Sequence, residues 1–365
     1  MVRNNSLIGY SMKKIMIYLI LVIGTMACKD QEFGFYDYDH TAVYFPIQLP
    51  LRTLSVGEDR IDNTLDKNLQ FDIGVSIGGL YGSNDHDWTV DFEVDNSLTD
   101  NVYIVVNDED QKVLPLPEEY YTLNSTSLIT IPKGSFNGML GVQLTNAFFD
   151  DPIAITGAYV LPLRITKTSA DSILVGAPAN DDILSPDKRD PNDWEAGKSP
   201  KDWVLYGIKY INGYHGSYLQ RGRTIVYSGT TPIDTVIYRD IHVERDNIVF
   251  LKTSGKTTAT TNFIGQNTSA TGGYAMNLEF PNMWGTPGGD IVITPSEGSL
   301  YAVTGNGQFM DKETSTESII GLDMQSMHLN YTYEADGNTY VASDTLVFRD
   351  RDLKFEENSI LISED

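Results

Sequence analysis

Along most of the chain, apolar side chains recur at every second position. Phe71, Ile73, Val75 and Ile77 alternate with Asp72, Gly74 and Ser76, and Trp88, Val90, Phe92 and Val94 alternate with Thr89, Asp91 and Glu93. Leu140, Val142 and Leu144 do the same across Gly141 and Gln143. A period of two sets one face of an extended segment on a core and the other in water, as in antiparallel sheets. Turn-forming clusters separate the runs: Gly78-Gly79, Gly82-Ser83-Asn84-Asp85, Asn107-Asp108-Glu109-Asp110 and Pro132-Lys133-Gly134. Short strands divided by such turns predict an immunoglobulin-like β-sandwich over 42–176. Residues 161–165 are expected to close it, with Pro162 favouring an edge because proline cannot donate to a ladder.

Residues 177–202 hold four prolines, many charges and no periodicity. They are predicted to be a linker or an ordered crossover. A second β region is predicted over 203–355. There Tyr274, Met276, Leu278 and Phe280 alternate with Ala275, Asn277 and Glu279, and Met327, Leu329, Tyr331 and Tyr333 with His328, Asn330 and Thr332. Asp336-Gly337 then turns the chain back into 339–348, a strong hairpin signal. An up-and-down β-barrel absorbs about eight such strands without open edges, and a second β-sandwich is the alternative. The chain is therefore expected to be all-β, with no internal repeat.

The start of the chain departs from this pattern. Residues 15–23 are nine consecutive apolar positions preceded by Lys13 and Lys14 and followed by Gly24-Thr25-Met26-Ala27-Cys28. A basic start, an apolar middle and small residues before a cut site describe a secretory signal peptide over 1–27. A membrane-spanning helix needs about 20 apolar residues, so this run is too short to be one. The segment resembles a bacterial lipoprotein signal, with cleavage before Cys28 and lipidation of its thiol, although Thr25 stands where such signals more often carry Leu. Met12-Lys13-Lys14 reads as a more natural start than Met1. A tether, 28–41, follows. Its first residues, Lys29-Asp30-Gln31-Glu32, resemble the export signal that sends Bacteroidetes lipoproteins to the outer face of the outer membrane. The periplasmic face is the alternative.

Charge narrows the partners. The chain of 365 residues carries 50 acidic and 26 basic side chains, a net charge of −24. Cleavage before Cys28 would remove Arg3, Lys13 and Lys14 and no acid, which takes the balance to −27. A surface that acidic repels phosphate backbones and excludes nucleic acid as a natural partner. Cys28 is the single cysteine, so once it is acylated no disulfide or thiolate metal site can form.

Three stretches carry a family resemblance. Leu116-Pro117-Glu118-Glu119-Tyr120-Tyr121-Thr122-Leu123, then Ile129-Thr130-Ile131-Pro132-Lys133-Gly134-Ser135, resembles an N-terminal module common in Bacteroidetes surface lipoproteins. The run from Leu161-Pro162-Leu163-Arg164-Ile165 through Ala170-Asp171-Ser172 fits the same module, which also stands ahead of family 18 endo-β-N-acetylglucosaminidases. Lys209-Tyr210-Ile211-Asn212-Gly213-Tyr214-His215-Gly216-Ser217-Tyr218 resembles the opening of a second uncharacterised domain that often follows it. Together they cover about residues 35–355. The resemblance implies a glycan-binding or adhesin-like accessory lipoprotein of a polysaccharide-utilisation system. Its partners would be a polysaccharide or oligosaccharide and an outer-membrane importer complex, and it would touch the membrane through its lipid anchor alone. The motifs carry no catalytic residues.

Catalytic signatures are missing from the sequence itself. His40, His86, His215, His242 and His328 are scattered, with no H-E-x-x-H, and there is no G-x-S-x-G elbow, P-loop or dinucleotide fingerprint. No enzyme activity and no cofactor are expected, although a carboxylate pair at glycosidase spacing could arise by folding. Asn84-Asp85-His86-Asp87 offers oxygen ligands at calcium-like density but lacks the loop spacing and bidentate Glu, and reads as a solvated turn. Sugar capture needs an aromatic face for the apolar side of a pyranose, with polar groups for its hydroxyls. Trp284, in the Gly/Pro-rich Met283-Trp284-Gly285-Thr286-Pro287, is the first candidate, and Tyr218, Arg221 and Arg223 are candidates to line a barrel mouth. Trp88 and Trp203 begin strands and are expected in the core, and Trp194 in interdomain packing. Asp171-Ser172-Ile173, Asp234-Thr235-Val236 and Asp344-Thr345-Leu346 fit a short O-glycosylation pattern, the first best placed beside the 177–202 stretch. Because both β regions follow the anchor, Cys28→Ala should leave a folded protein that no longer partitions into detergent. Wild-type partitioning of the variant would contradict the anchor.

Overall fold

The computed structural model describes residues 38–363 except 60, 83, 107, 181, 269–275 and 288. Cys28, the 1–27 segment, most of the tether and Tyr274 lie outside the described residues. The period-two runs form two facing sheets. One has the order Ser172–Ile173, Ala42–Tyr44, Gln70–Gly78, Asn137–Leu144, Tyr121–Leu123. The other runs Glu356–Glu357, Pro50–Ser55, Trp203–Ile211, Tyr159–Thr168, Trp88–Val94, Leu128–Ile131. Val43, Phe71, Ile73, Val75, Leu140 and Val142 from the first meet Val90, Phe92, Leu161, Leu163 and Val204 from the second in one core.

Two expectations for this region change, and between the two alternatives for 177–202 the structure selects the crossover. Trp203–Ile211 was expected to open the second region, but it lies in the sandwich, parallel to Pro50–Ser55 and antiparallel to Tyr159–Thr168. Both of its faces are covered: Val204, Ile208 and Tyr210 enter the main core, while Trp203 and Leu205 pack outward on Leu98, Val102, Ile104 and Val113. Its near-continuous apolar run is what a central strand buried on both sides requires. Pro162 is likewise central, between Trp203–Ile211 and Trp88–Val94. Its carbonyl accepts from Asp95 N–H at 3.0 Å, so the side that lacks an N–H faces the point where Trp88–Val94 ends and the neighbour turns away. Residues 177–202 are a crossover from one sheet to the other, firmly held. Arg189 Nη1 donates to the carbonyls of Leu98 and Asp100 at 3.2 and 2.5 Å, Lys188 pairs with Asp202 at 2.6 Å, and Trp194 Nε1 donates to Asp187 O at 2.7 Å. Trp194 therefore packs within the crossover, where a Cβ on Gly176 (φ +84°) would fall 2.7 Å from its ring.

From Gly216 the chain forms a closed up-and-down barrel of eight strands: Gly216–Ser228, Asn247–Thr253, Thr258–Thr261, Met276–Glu279, Asp290–Pro295, Val303–Met310, Ser326–Ala335 and Asn338–Asp350. Asn338–Asp350 closes the ring on Gly216–Ser228, from Ser217 opposite Asp350 to Tyr227 opposite Thr339. Thr231–Tyr238 adds to the far half of Gly216–Ser228 outside the ring. Val249, Leu251, Leu278, Ile291, Ile293, Leu329 and Leu346 fill the interior. Closure pairs the ladder edges that an open sheet would leave bare.

The two domains meet at 212–215. Arg351, 1% exposed, donates from Nη1 to the carbonyls of Gly213 and His215, both at 2.7 Å, and from Nε and Nη2 to Glu58 O at 3.2 and 3.0 Å. The barrel's 281–289 loop reaches across. Met283 is buried in the sandwich core, and Gly213 N–H donates to its carbonyl at 2.7 Å. Past Asp350 the chain returns over the sandwich as a strap, with Glu356 and Glu357 opposite Leu51 and Pro50 and Ile360–Ile362 paired along Val102, Tyr103 and Ile104. A chain stopped at residue 176 loses a central strand and should show no cooperative thermal transition by circular dichroism, while one carried from 38 to 211 should. Cooperative unfolding of the shorter fragment would contradict this assignment.

Candidate functional site

The expected ligand residues do not come together, and strand parity explains why. On Gly216–Ser228 the positions of Tyr218, Gln220, Thr224 and Val226 point into the barrel, and those of Arg221 and Arg223 point out. Tyr218 is fully buried, its hydroxyl donating to Tyr214 O at 2.7 Å and its ring edge-on to Phe348 at 5.5 Å. Desolvation raises its phenol well above the ordinary tyrosine range. It is core, not a mouth residue. Arg221 spends its guanidinium on Asp246 (2.8 Å) and on Asp240 O (3.1 Å), which pins the 239–246 loop to the wall. Arg223 is exposed on the outer wall, beside Ile237 and Ser343 in register.

Trp284 lies at the domain junction. A Cβ on Gly213 would fall 2.5 Å from the Trp284 carbonyl carbon, Asn282 Oδ1 accepts the Trp284 N–H at 2.8 Å, and the residue is 38% exposed. The Asn84 turn is tied down by its own neighbours. Asn84 Nδ2 donates to the carbonyls of Pro132 and Ser135, and Asp87 accepts Lys133 N–H. Of the three O-glycosylation-like tripeptides, Ser172 and Thr345 are half-buried, and Thr235 is the hydroxyl residue that is exposed.

A cleft between the domains gathers chemistry that no local spacing announces. Its two contiguous parts, about 620 and 550 Å³, share Lys209 from the sandwich, Lys252 from the barrel and Glu356 from the strap. Asn247–Thr253 turns Val249 and Leu251 inward, yet its outward row is Ile248, Phe250 and Lys252, with Phe250 45% exposed. A barrel strand with one wet face normally reads polar there, so this second apolar row was the signal available in the sequence. Phe250, His215 and Lys354 line one part of the cleft, and Thr253, Asn358 and Ser359 the other. Lys209 pairs with Glu356 at 2.8 Å, and Thr53 Oγ1 donates to the same carboxylate at 3.2 Å. His215 Nδ1 accepts Thr253 N–H at 3.0 Å, which places the ring proton on Nε2. Burial, with Arg351, Lys252 and Lys209 nearby, pushes its pKa down to about 4, so the ring is neutral. The result is an exposed aromatic face surrounded by ammonium, carboxylate, amide and hydroxyl groups.

A second polar group lies inside the barrel. Asp344 accepts from Tyr331 Oη at 2.6 Å, from Tyr238 Oη, and from Gln220 Nε2 at 3.1 Å. Burial outweighs these bonds and raises its pKa to about 6. The folded state thus holds this proton more tightly than an unfolded Asp, near 3.9. Its stabilisation is complete below about pH 4 and is lost as pH rises through about 6. Wild type should therefore gain melting temperature relative to Asp344→Asn between pH 7.5 and pH 5. An unchanged difference would mean that Asp344 does not titrate there.

These features define a two-domain, all-β protein, a sandwich and a closed eight-stranded barrel with a polar cleft between them. Residues 37–172 match a family model described as an N-terminal domain, and residues 213–352 match the domain of unknown function DUF5627. A crystal structure of a Bacteroides ovatus protein of unknown function is similar over 90% of this chain and 100% of that one, with 32% identity and a TM-score of 0.76. The chain belongs to the family of that protein. A crystal structure of an auxiliary nutrient binding protein from Bacteroides thetaiotaomicron is similar at 14% identity, with a TM-score of 0.36, over 82% of this chain and 90% of that one. No curated protein matches the chain.

Proposed function

We propose that the protein is a non-catalytic accessory lipoprotein that captures glycan in its interdomain cleft. In this reading Cys28 carries the lipid, the protein faces the cell exterior, and it hands a polysaccharide or oligosaccharide to an outer-membrane importer of a polysaccharide-utilisation system. The observation that carries the reading is Phe250, an aromatic ring left 45% exposed on an outward strand face at the mouth of a cleft. Pyranose rings present an apolar C–H face to such a ring, while Lys252, Glu356, Asn358 and Ser359 supply groups for hydroxyls. A cleft of this volume is within the range of small-molecule sites. An adhesin-like role with a protein partner is the second reading, favoured by Ile233, Ile237 and Ile241, which are 55%, 64% and 93% exposed on and just after the outermost strand.

Isothermal titration against a panel of plant and host oligosaccharides tests the first reading. Ring stacking on aromatics contributes roughly 1–3 kcal/mol per contact, and a sugar sits at the low end. Phe250→Ala should therefore weaken binding about tenfold, since about 1.4 kcal/mol is one decade. The exposed ring should leave the melting temperature unchanged. Loss of binding in Trp284→Ala with Phe250→Ala unaffected would move the site to the 281–289 loop, and absence of binding across the panel would favour the protein partner.

A further inference from the structure

The same cleft carries a charge pattern that narrows its ligand, granted the capture reading above. Acids outnumber bases 50 to 26 along the chain, yet the joined cleft is lined by four cations, Lys209, Lys252, Arg351 and Lys354, against Asp352, Glu356 and Glu357. The cations arrive from the sandwich, the barrel and the strap, so the fold and not a local run concentrates them. Their states differ. Arg351 is consumed by backbone carbonyls, and Lys209 by Glu356, which also takes the Thr53 hydroxyl. The ammonium groups of Lys252 and Lys354 have no hydrogen-bond or ion-pair partner among the described residues, and both residues are exposed. His215 adds an Nε2–H with no acceptor among the described residues, because Nδ1 is taken by Thr253. Asp352 and Glu357 share this lining and are exposed as the two lysines are. The wall thus offers uncommitted donors beside an aromatic face, and its Glu356 carboxylate is already taken by Lys209 and Thr53.

We propose that the cleft selects saccharides bearing anionic groups, uronates or sulfated sugars, with Lys252 and Lys354 pairing the anion and Phe250 stacking on the ring that carries it. A protein of net charge −24 repels polyanions at long range, so such selection has to be a property of this wall.

Titration of the full mature chain with matched pairs tests it. Oligogalacturonate is set against its fully methyl-esterified form for carboxylates, and dextran sulfate against dextran for sulfates. The charged member of at least one pair should bind at least tenfold tighter, and the pair that does so identifies the anion. Lys252→Gln and Lys354→Gln should each cut that affinity about tenfold and flatten its fall between 50 and 300 mM salt, with unchanged melting temperature. Lys256→Gln, whose lysine is paired with Asp150 at 2.6 Å and lies outside the lining, should change nothing. Equal affinity for charged and neutral members overturns anion selection and leaves glycan capture standing, and charge preference that survives both lysine substitutions overturns the assignment of the anion to Lys252 and Lys354. Failure of every member of both pairs also overturns it, and if the neutral oligosaccharide panel fails as well, glycan capture falls with it.

Discussion

Arg351 leaves the last barrel strand and places its guanidinium between the two domains, where it serves three carbonyls from two separate segments, Glu58 on one side and Gly213 and His215 on the other. It also lies 4.6 Å over the Phe348 ring. Removing a cation from water is costly, and desolvation pulls its pKa below the ordinary arginine value. Charge-assisted bonds to the carbonyls of Glu58, Gly213 and His215 offset that cost. The close approach depends on two glycines. A Cβ on Gly57 would fall 2.5 Å from Arg351 Nη2 and 2.6 Å from Gly213 Cα, and one on Gly213 would strike the Trp284 backbone.

The cleft follows from this junction. Because Arg351 fixes 213–215 against the sandwich, the end of Asn247–Thr253 is brought beside Lys209, and Thr253 is close enough to bond both His215 and Asn212 N–H. The strap then crosses the opening and supplies Lys354, Glu356 and Asn358 before ending as a strand against Val102, Tyr103 and Ile104. Met283, set into the sandwich core from a barrel loop, holds the opposite side. The cleft-lining groups on the sandwich, barrel and strap are thereby held on one frame, the kind of preorganisation that would limit the entropy cost of binding.

The architecture was legible because burial on one face writes itself as alternation. Phe71 to Ile77 and Met327 to Tyr333 form strands with the expected faces buried, and Trp88 to Val94 does so at Val90 and Phe92, while Trp88 is half-buried and Val94 exposed. Errors arose where a local signal has two structural solutions. Trp203–Ile211 reads alike as the first strand of a new domain or the last of an old one, and pairing with Pro50–Ser55, some 150 residues earlier, decides it. Pro162 looks like an edge residue until the neighbouring strand is known to stop beside it. Tyr218, Arg221 and Arg223 are close in sequence, but odd and even positions of one strand cannot line one surface. Residues 209, 250, 252, 354 and 356 converge only through the interdomain geometry, and no spacing in the chain encodes that.

Calorimetric unfolding of the protein and of Arg351→Met tests most directly whether this one buried group makes the two domains a single body. The account predicts one transition for the wild type, with calorimetric and van't Hoff enthalpies equal, and two resolved transitions for the variant. Two transitions in the wild type that Arg351→Met leaves in place would contradict it.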